Sequence, residues 1–195
     1  MSENNCVADF MLAGNFGRGQ WLDVIIKAAA ELGPRNDYKI HMVGDGSMRK
    51  ELEKLVSDTG LLENFVFYGN QKREDMPEYY KKADVLIITL RGNNEVGNTM
   101  PGKLQMYMTT GKPIIGAING ATQEILSEAK CGECVPAGDY KGLARLMLKY
   151  IENPDLYMDP SIGENARNYF RKHFTLEKFM EGLCMELEEL VNYKK

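Results

Sequence analysis

The chain has 195 residues, 44% apolar and 27% charged, with a formal net charge of −4, values that suit a soluble globular protein with one generous core. A mildly acidic balance, with no Lys/Arg run interleaved with aromatics, argues against nucleic acid as the main partner. No apolar stretch approaches bilayer length, and the opening MSENNCVADF lacks the basic and apolar regions of an export signal, so the expectation is an unexported, cytoplasmic domain. Residues 1–8 read as a tail and 9–195 as one domain.

Residues 9–13 read as a short buried strand, followed by GNFGRGQ and a helix starting near Gln20 or Trp21, with Leu22, Ile25, Ile26, Ala29 and Ala30 on its inner face. Gly33-Pro34 stops it. YKIHMVG is the next strand. It runs into Gly44-Asp45-Gly46 and a helix predicted to be capped by Ser47 and closed by Gly60. A third strand begins at Asn64 and ends at Gly69, and a short helix follows from Asp75 or Pro77 to Lys82. VLIITL is the most apolar strand.

The loop RGNNEVGNTM is long for a strand-to-helix connection, which points to a task of its own. Pro101 is suited to open the next helix, with Gly102 and Lys103 in its first turn. Leu104, Tyr107 and Met108 form its buried stripe, Gly111 ends it, and Pro113–Ala117 is the fifth strand. A short helix (NGATQEILSEA), a last strand (GECVPA) and a helix capped by Asp139 follow. Asn153-Pro154 breaks that helix. From Ser161 the chain reads as helical, with a break at His173-Phe174 and a new cap at Thr175.

Six strands alternating with helices predict an α/β fold: a Rossmann-like, doubly wound six-stranded parallel sheet with extra C-terminal helices. In such a sheet the strand-to-helix loops share one edge. Here those loops are rich in glycine, which lets backbone N–H groups approach a phosphate or ribose. Arg18 offers a planar fork for a diphosphate and Lys103 a point charge beside a helix N-terminus. The first loop does not have G-x-G-x-x-G spacing and no Walker lysine is present. Nor does a metal set appear: Asp45 and Glu95 lie on different loops, and the CGEC at 131–134 lacks a second Cys/His pair nearby. With Cys6 and Cys184 scattered, the cysteines suit a reducing compartment and a structural role.

AGNFGRGQWLD, HMVGDGSMRKELE, NFVFYGNQ and above all MPGKLQMYMTTGKPIIGAI resemble the donor-binding C-terminal half of retaining GT-B glycosyltransferases, with the closest look to family 4. That resemblance implies transfer from a UDP- or GDP-sugar to a glycan or lipid-linked acceptor in capsule or lipopolysaccharide-type polysaccharide synthesis, with no cofactor and no metal. Arg18 matches the arginine that such enzymes place on the donor diphosphate, and Gln20 stands near the position of a second cation. Tyr68, Gly69 and Asn70 match the loop that holds the nucleobase largely through backbone groups. Gly97 and Gln105 stand where many members carry glutamates, and MPGK (Met100, Pro101, Gly102, Lys103) resembles members that share this departure. Gln105 is then a ribose contact and Glu95 a candidate sugar contact. Gly17, Gly44 and Asp45 complete the expected nucleotide-sugar site, with Arg18 and Lys103 stabilising the leaving group.

The same resemblance assigns the acceptor pocket to an N-terminal domain not contained in this sequence. It leaves room for peripheral association of a full enzyme with the inner face of the plasma membrane. For the last helix, Phe179, Leu183, Leu187 and Leu190 form a stripe that either faces that other domain or packs on this one's own sheet. A sugar-nucleotide epimerase half and a non-catalytic nucleotide-binding module are the alternatives.

Overall fold

The computed structural model describes residues 7–92 and 100–193, the last five by their backbone only. Six strands, β1 (Ala8–Ala13), β2 (Tyr38–Val43), β3 (Phe65–Gly69), β4 (Val85–Thr89), β5 (Ile114–Ala117) and β6 (Gly132–Val135), form one sheet in the order β3-β2-β1-β4-β5-β6. Every neighbouring pair is parallel. The strand order reverses between β1 and β4, and that is where a crevice opens in a doubly wound sheet. In this central pair the register covers only Phe10↔Val85 and Met11↔Leu86.

Alternate residues of each strand feed two separate cores, because a sheet with crossover helices is covered on both faces. Phe10, Leu12, Ile40, Met42, Val85 and Ile87 pack under α1 (Asp23–Leu32), α2 (Arg49–Asp58) and α6 (Tyr140–Glu152). Met11, Ala13, Val43, Leu86 and Ile88 pack under α4 (Lys103–Thr110), α5 (Ala121–Ala129) and α8 (Pro160–His173), with α3 (Met76–Lys81) against the same side. A short α7 (Asp155–Met158) follows the break at Asn153-Pro154, and α9 (Leu176–Tyr193) follows α8.

The six-strand reading holds, and most stops fall where the glycines stand: Gly33, Gly60 and Gly111 have φ of +73°, +71° and +70°. Asp139 caps α6 through Gly142 N at 2.8 Å, and Thr175 Oγ1 accepts from Lys178 N at 3.3 Å.

Several boundaries move. β1 takes in Ala8, which the sequence reading gave to the tail. Arg18–Gln20 is a 3-10 turn, not the start of an α-helix, because Trp21 adopts the left-handed conformation (φ 51°, ψ 45°) and forces a fresh start at Asp23. Ser47 does not cap α2. The chain there is tied instead by Phe16 O, which accepts from Met48 N, and Gly46 O, which accepts from Arg49 N. Asn64 belongs to a 3-10 turn and uses its side chain to bind Arg35 O and Tyr38 O.

Pro101 precedes α4 by two residues, its carbonyl accepting from Leu104 N. The stripe on α9 does not pack on the sheet: Phe179, Leu183 and Leu187 are 64%, 39% and 53% exposed, and the side chain of Leu190 lies outside the described residues.

Candidate functional site

The carboxyl ends of β1, β2 and β3 and the N-terminus of α4 enclose a cleft of about 760 Å³. Its floor comes from Ala13, Gly14 and Asn15 of the first loop and Val43 to Gly46 of the second, its far wall from Asn70, Gln71, Met76 and Tyr80, and its near wall from Lys103 and Met106. Close loop packing makes this floor. A Cβ on Gly44, which has φ +136°, would lie 1.8 Å from Gly14 O, so only glycine lets the first two loops touch. Phe16, fully buried, donates its N–H to Asp45 O.

Lys103 is the cation of the cleft. Its ammonium donates to Gln20 Oε1 at 2.5 Å and lies 3.2 Å from where a Cβ of Gly14 would sit. No carboxylate pairs with it among the described residues. Burial lowers its pKa from the usual 10.5 to about 8. A partly buried ammonium with one neutral amide as its partner favours an incoming anion, and the first turn of α4 adds the positive end of its peptide dipoles. Gln20 itself is held by the sheet, since its carbonyl accepts from Thr89 Oγ1 at 2.6 Å, and Gly19 O accepts from Arg91 N at 2.9 Å.

Arg18 opens the same 3-10 turn that ends in Gln20, the residue whose side chain meets Lys103. Its guanidinium is exposed and forms no hydrogen bond or ion pair among the described residues. Asp45 is in the cleft but occupied: it accepts from Gly46 N at 2.7 Å and Arg49 Nη1 at 3.1 Å, and those contacts hold its carboxyl below the usual range. Among the described residues no group of three His, Cys, Asp or Glu could hold a metal.

The remaining expected site residues are not all gathered. Gly44, Asp45, Asn70 and Lys103 line the cleft, and Gln20 reaches it through Lys103. Gly17 and Arg18 belong to the first loop and Gly69 ends β3, and none of the three lines the cleft. The side chain of Tyr68 is engaged with His41 and Tyr79, and its carbonyl accepts from Gln71 Nε2 at 2.8 Å. Met100 packs against the apolar core, and Pro101 and Gly102 form the approach to α4. Gln105 lies half-buried on α4 and does not line the cleft. Glu95 and Gly97 lie outside the described residues.

The family model described as glycosyl transferases group 1 matches residues 8–169. The chain belongs to that family. Among the relatives of this chain is a GDP-mannose-dependent phosphatidylinositol monomannoside mannosyltransferase of Mycolicibacterium smegmatis, 26% identical over 68% of this chain and 35% of that protein. A lipopolysaccharide core mannosyltransferase of Rhizobium leguminosarum is 26% identical over 86% of this chain and 47% of its own length. The structure of Anabaena HepE with UDP-glucose superposes with a TM-score of 0.77 at 20% identity, covering 94% of this chain and 49% of that one, which shows a shared GT-B-type fold. The chain thus spans about half or less of these proteins' lengths.

Asn15, Gln71, Met76, Tyr80 and Met106 of the cleft lining were missed by the sequence reading. Met106 was the findable one: it is the apolar residue of α4 that falls off the Leu104-Tyr107-Met108 stripe, and it is 41% exposed. Cys131 and Cys134 are free thiols, both pushed up to about 12 by burial, in keeping with a structural role. No helix among the described residues is long and apolar enough to cross a membrane.

Proposed function

We propose that this domain is the donor half of a glycosyltransferase. It holds a UDP- or GDP-linked sugar with the diphosphate at Lys103 and Arg18 and the nucleoside toward Asn70 and Gln71. The observation that carries the reading is the partly buried Lys103 ammonium, which among the described residues has an amide and no carboxylate for a partner, in a cleft floored by the close-packed loops at Gly14 and Gly44. As the sugar–phosphate bond breaks, negative charge grows on the departing diphosphate, and cations already in place stabilise it without reorganising. No metal is required for that step. The acceptor, a glycan or lipid-linked saccharide of cell-surface polysaccharide synthesis, is supplied on a second domain, with transfer retaining the anomeric configuration. In the cell the full enzyme works in the cytoplasm against the inner membrane face. The names and folds of the relatives support this reading.

A thermal-shift panel of UDP, GDP, ADP and TDP, with and without magnesium, tests it. At a hundredfold excess over Kd, the matching nucleotide stabilises by about 2.7 kcal/mol, roughly 5–10 °C in a domain of this size, with or without the metal. No shift from UDP or GDP overturns the proposal.

A further inference from the structure

The edge strand β3 ends in an irregularity that reaches the cleft. The β2–β3 register runs Met42↔Phe67 and then Val43↔Gly69, so Tyr68 is the extra residue of a bulge and has no ladder partner. Beside it Gly69 takes φ +74°, and β3 pairs on one side only. The last backbone tie is Gly44 N to Gly69 O at 2.9 Å. Ladder bonding alone therefore does little to set the direction in which residues 69–71 leave the sheet.

Side chains supply the rest. The Tyr68 hydroxyl lies 2.9 Å from His41 Nδ1, and His41 Nε2 lies 2.8 Å from Asp9 Oδ1. An ionised carboxylate can only accept, so in the neutral ring Nε2 carries the proton, Nδ1 accepts, and Tyr68 donates. The ring of Tyr68 rests edge-on against Tyr79, with centroids 5.1 Å apart. Its carbonyl accepts from Gln71 Nε2 at 2.8 Å, and Gln71 lines the cleft.

We propose that the line Asp9–His41–Tyr68 is a clasp on the bulge, and that His41 and Tyr68 are positioning residues which aim residues 69–71 at the nucleoside end of the donor. This rests on the donor-cleft reading and adds to it residues that touch no ligand. A bulge on an unsupported edge is free to twist, and a tyrosine pinned at its hydroxyl and its ring is not.

The test is Tyr68→Phe, which removes the hydroxyl and keeps the ring, with Tyr79→Phe as the control. The readouts are calorimetric titration with UDP and GDP, a thermal melt to confirm folding, and hydrogen exchange at the amides of Asn70 and Gln71. Tyr68→Phe is expected to raise the nucleotide Kd about three- to tenfold, the range one neutral hydrogen bond commands, and to speed exchange at those two amides. Tyr79→Phe should do neither. Unchanged Kd and exchange in Tyr68→Phe, or equal losses in the control, overturn the clasp. A wild-type domain that binds neither nucleotide overturns the donor reading and with it the ligand half of this inference, while exchange in the two variants still decides whether the clasp holds the loop.

Discussion

Replacing Lys103 by methionine should make the domain more stable and worse at binding nucleotide, and the two effects have one cause. Burial takes the ammonium's pKa from 10.5 to about 8. At about 1.4 kcal/mol per pKa unit, keeping that charge in the cleft costs the folded state at most about 3.5 kcal/mol. Because the folded pKa lies below the unfolded one, the unfolded chain binds more protons between pH 8 and 10.5. Stability of the free domain should therefore rise with pH across that window, and the penalty is fully present below pH 8. Lys103→Met removes both the penalty and its pH dependence. The variant should gain about 1–3 kcal/mol at pH 7, some 2–10 °C in Tm, less whatever the orphaned Gln20 amide costs.

Binding moves the other way. A diphosphate supplies the missing counter-charge, so affinity should fall as pH rises past about 8 in the wild type. In Lys103→Met it should be weaker by about 1.5–3 kcal/mol, the worth of a charge-assisted contact. Thermal melts and calorimetric titration with UDP and GDP from pH 7 to 10 check both. A destabilised variant that binds nucleotide as well as the wild type would refute the reasoning.

Arg18→Ala should weaken nucleoside-diphosphate binding by about 1.5–3 kcal/mol by calorimetry while leaving the melting temperature nearly unchanged, since its guanidinium supports nothing else among the described residues. Gly44→Ala should cost more than about 2 kcal/mol in urea unfolding, because its Cβ would press within 1.8 Å of Gly14 O. Thr122 Oγ1 is buried without a partner among the described residues, so Thr122→Val should stabilise by about 1 kcal/mol in the same assay. Exchanging Phe179 and Leu187 on α9 for lysine should change the domain's unfolding by less than about 0.5 kcal/mol, as both side chains are largely exposed.

What the sequence made legible follows from where local rules govern. Glycine and proline punctuation located nearly every element, because φ above zero at Gly33, Gly60 and Gly111 is a backbone requirement that neighbours do not alter. Ser47 fails as a cap for the opposite reason: Phe16, thirty-one positions earlier, supplies the carbonyl that orders the start of α2, and no local pattern announces it. The left-handed Trp21 is similarly tertiary, since its ring is held by Arg91 at 5.1 Å.

At the site, charge and backbone were legible in Lys103 and in the glycines at 14, 44 and 46 that line the cleft. The cleft wall was not, because Gln71, Met76 and Tyr80 line one cleft with Lys103 only once the sheet brings the end of β3 and the start of α4 to the same edge. Tyr68 was assigned to the ligand through its loop, and its bulge position then turned the ring to His41.

The two-residue register between β1 and β4 has a consequence for how the polypeptide could be taken apart. Gly14 and the β2 loop belong to one half of the sheet and Lys103 to the other, with a narrow strip of backbone bonding between them. A diphosphate gripped from both halves would act as a rivet across that strip. Two separately expressed pieces, cut in the loop before α3, would then reassemble more tightly when the nucleotide is present, turning the cleft into a reporter of its own assembly.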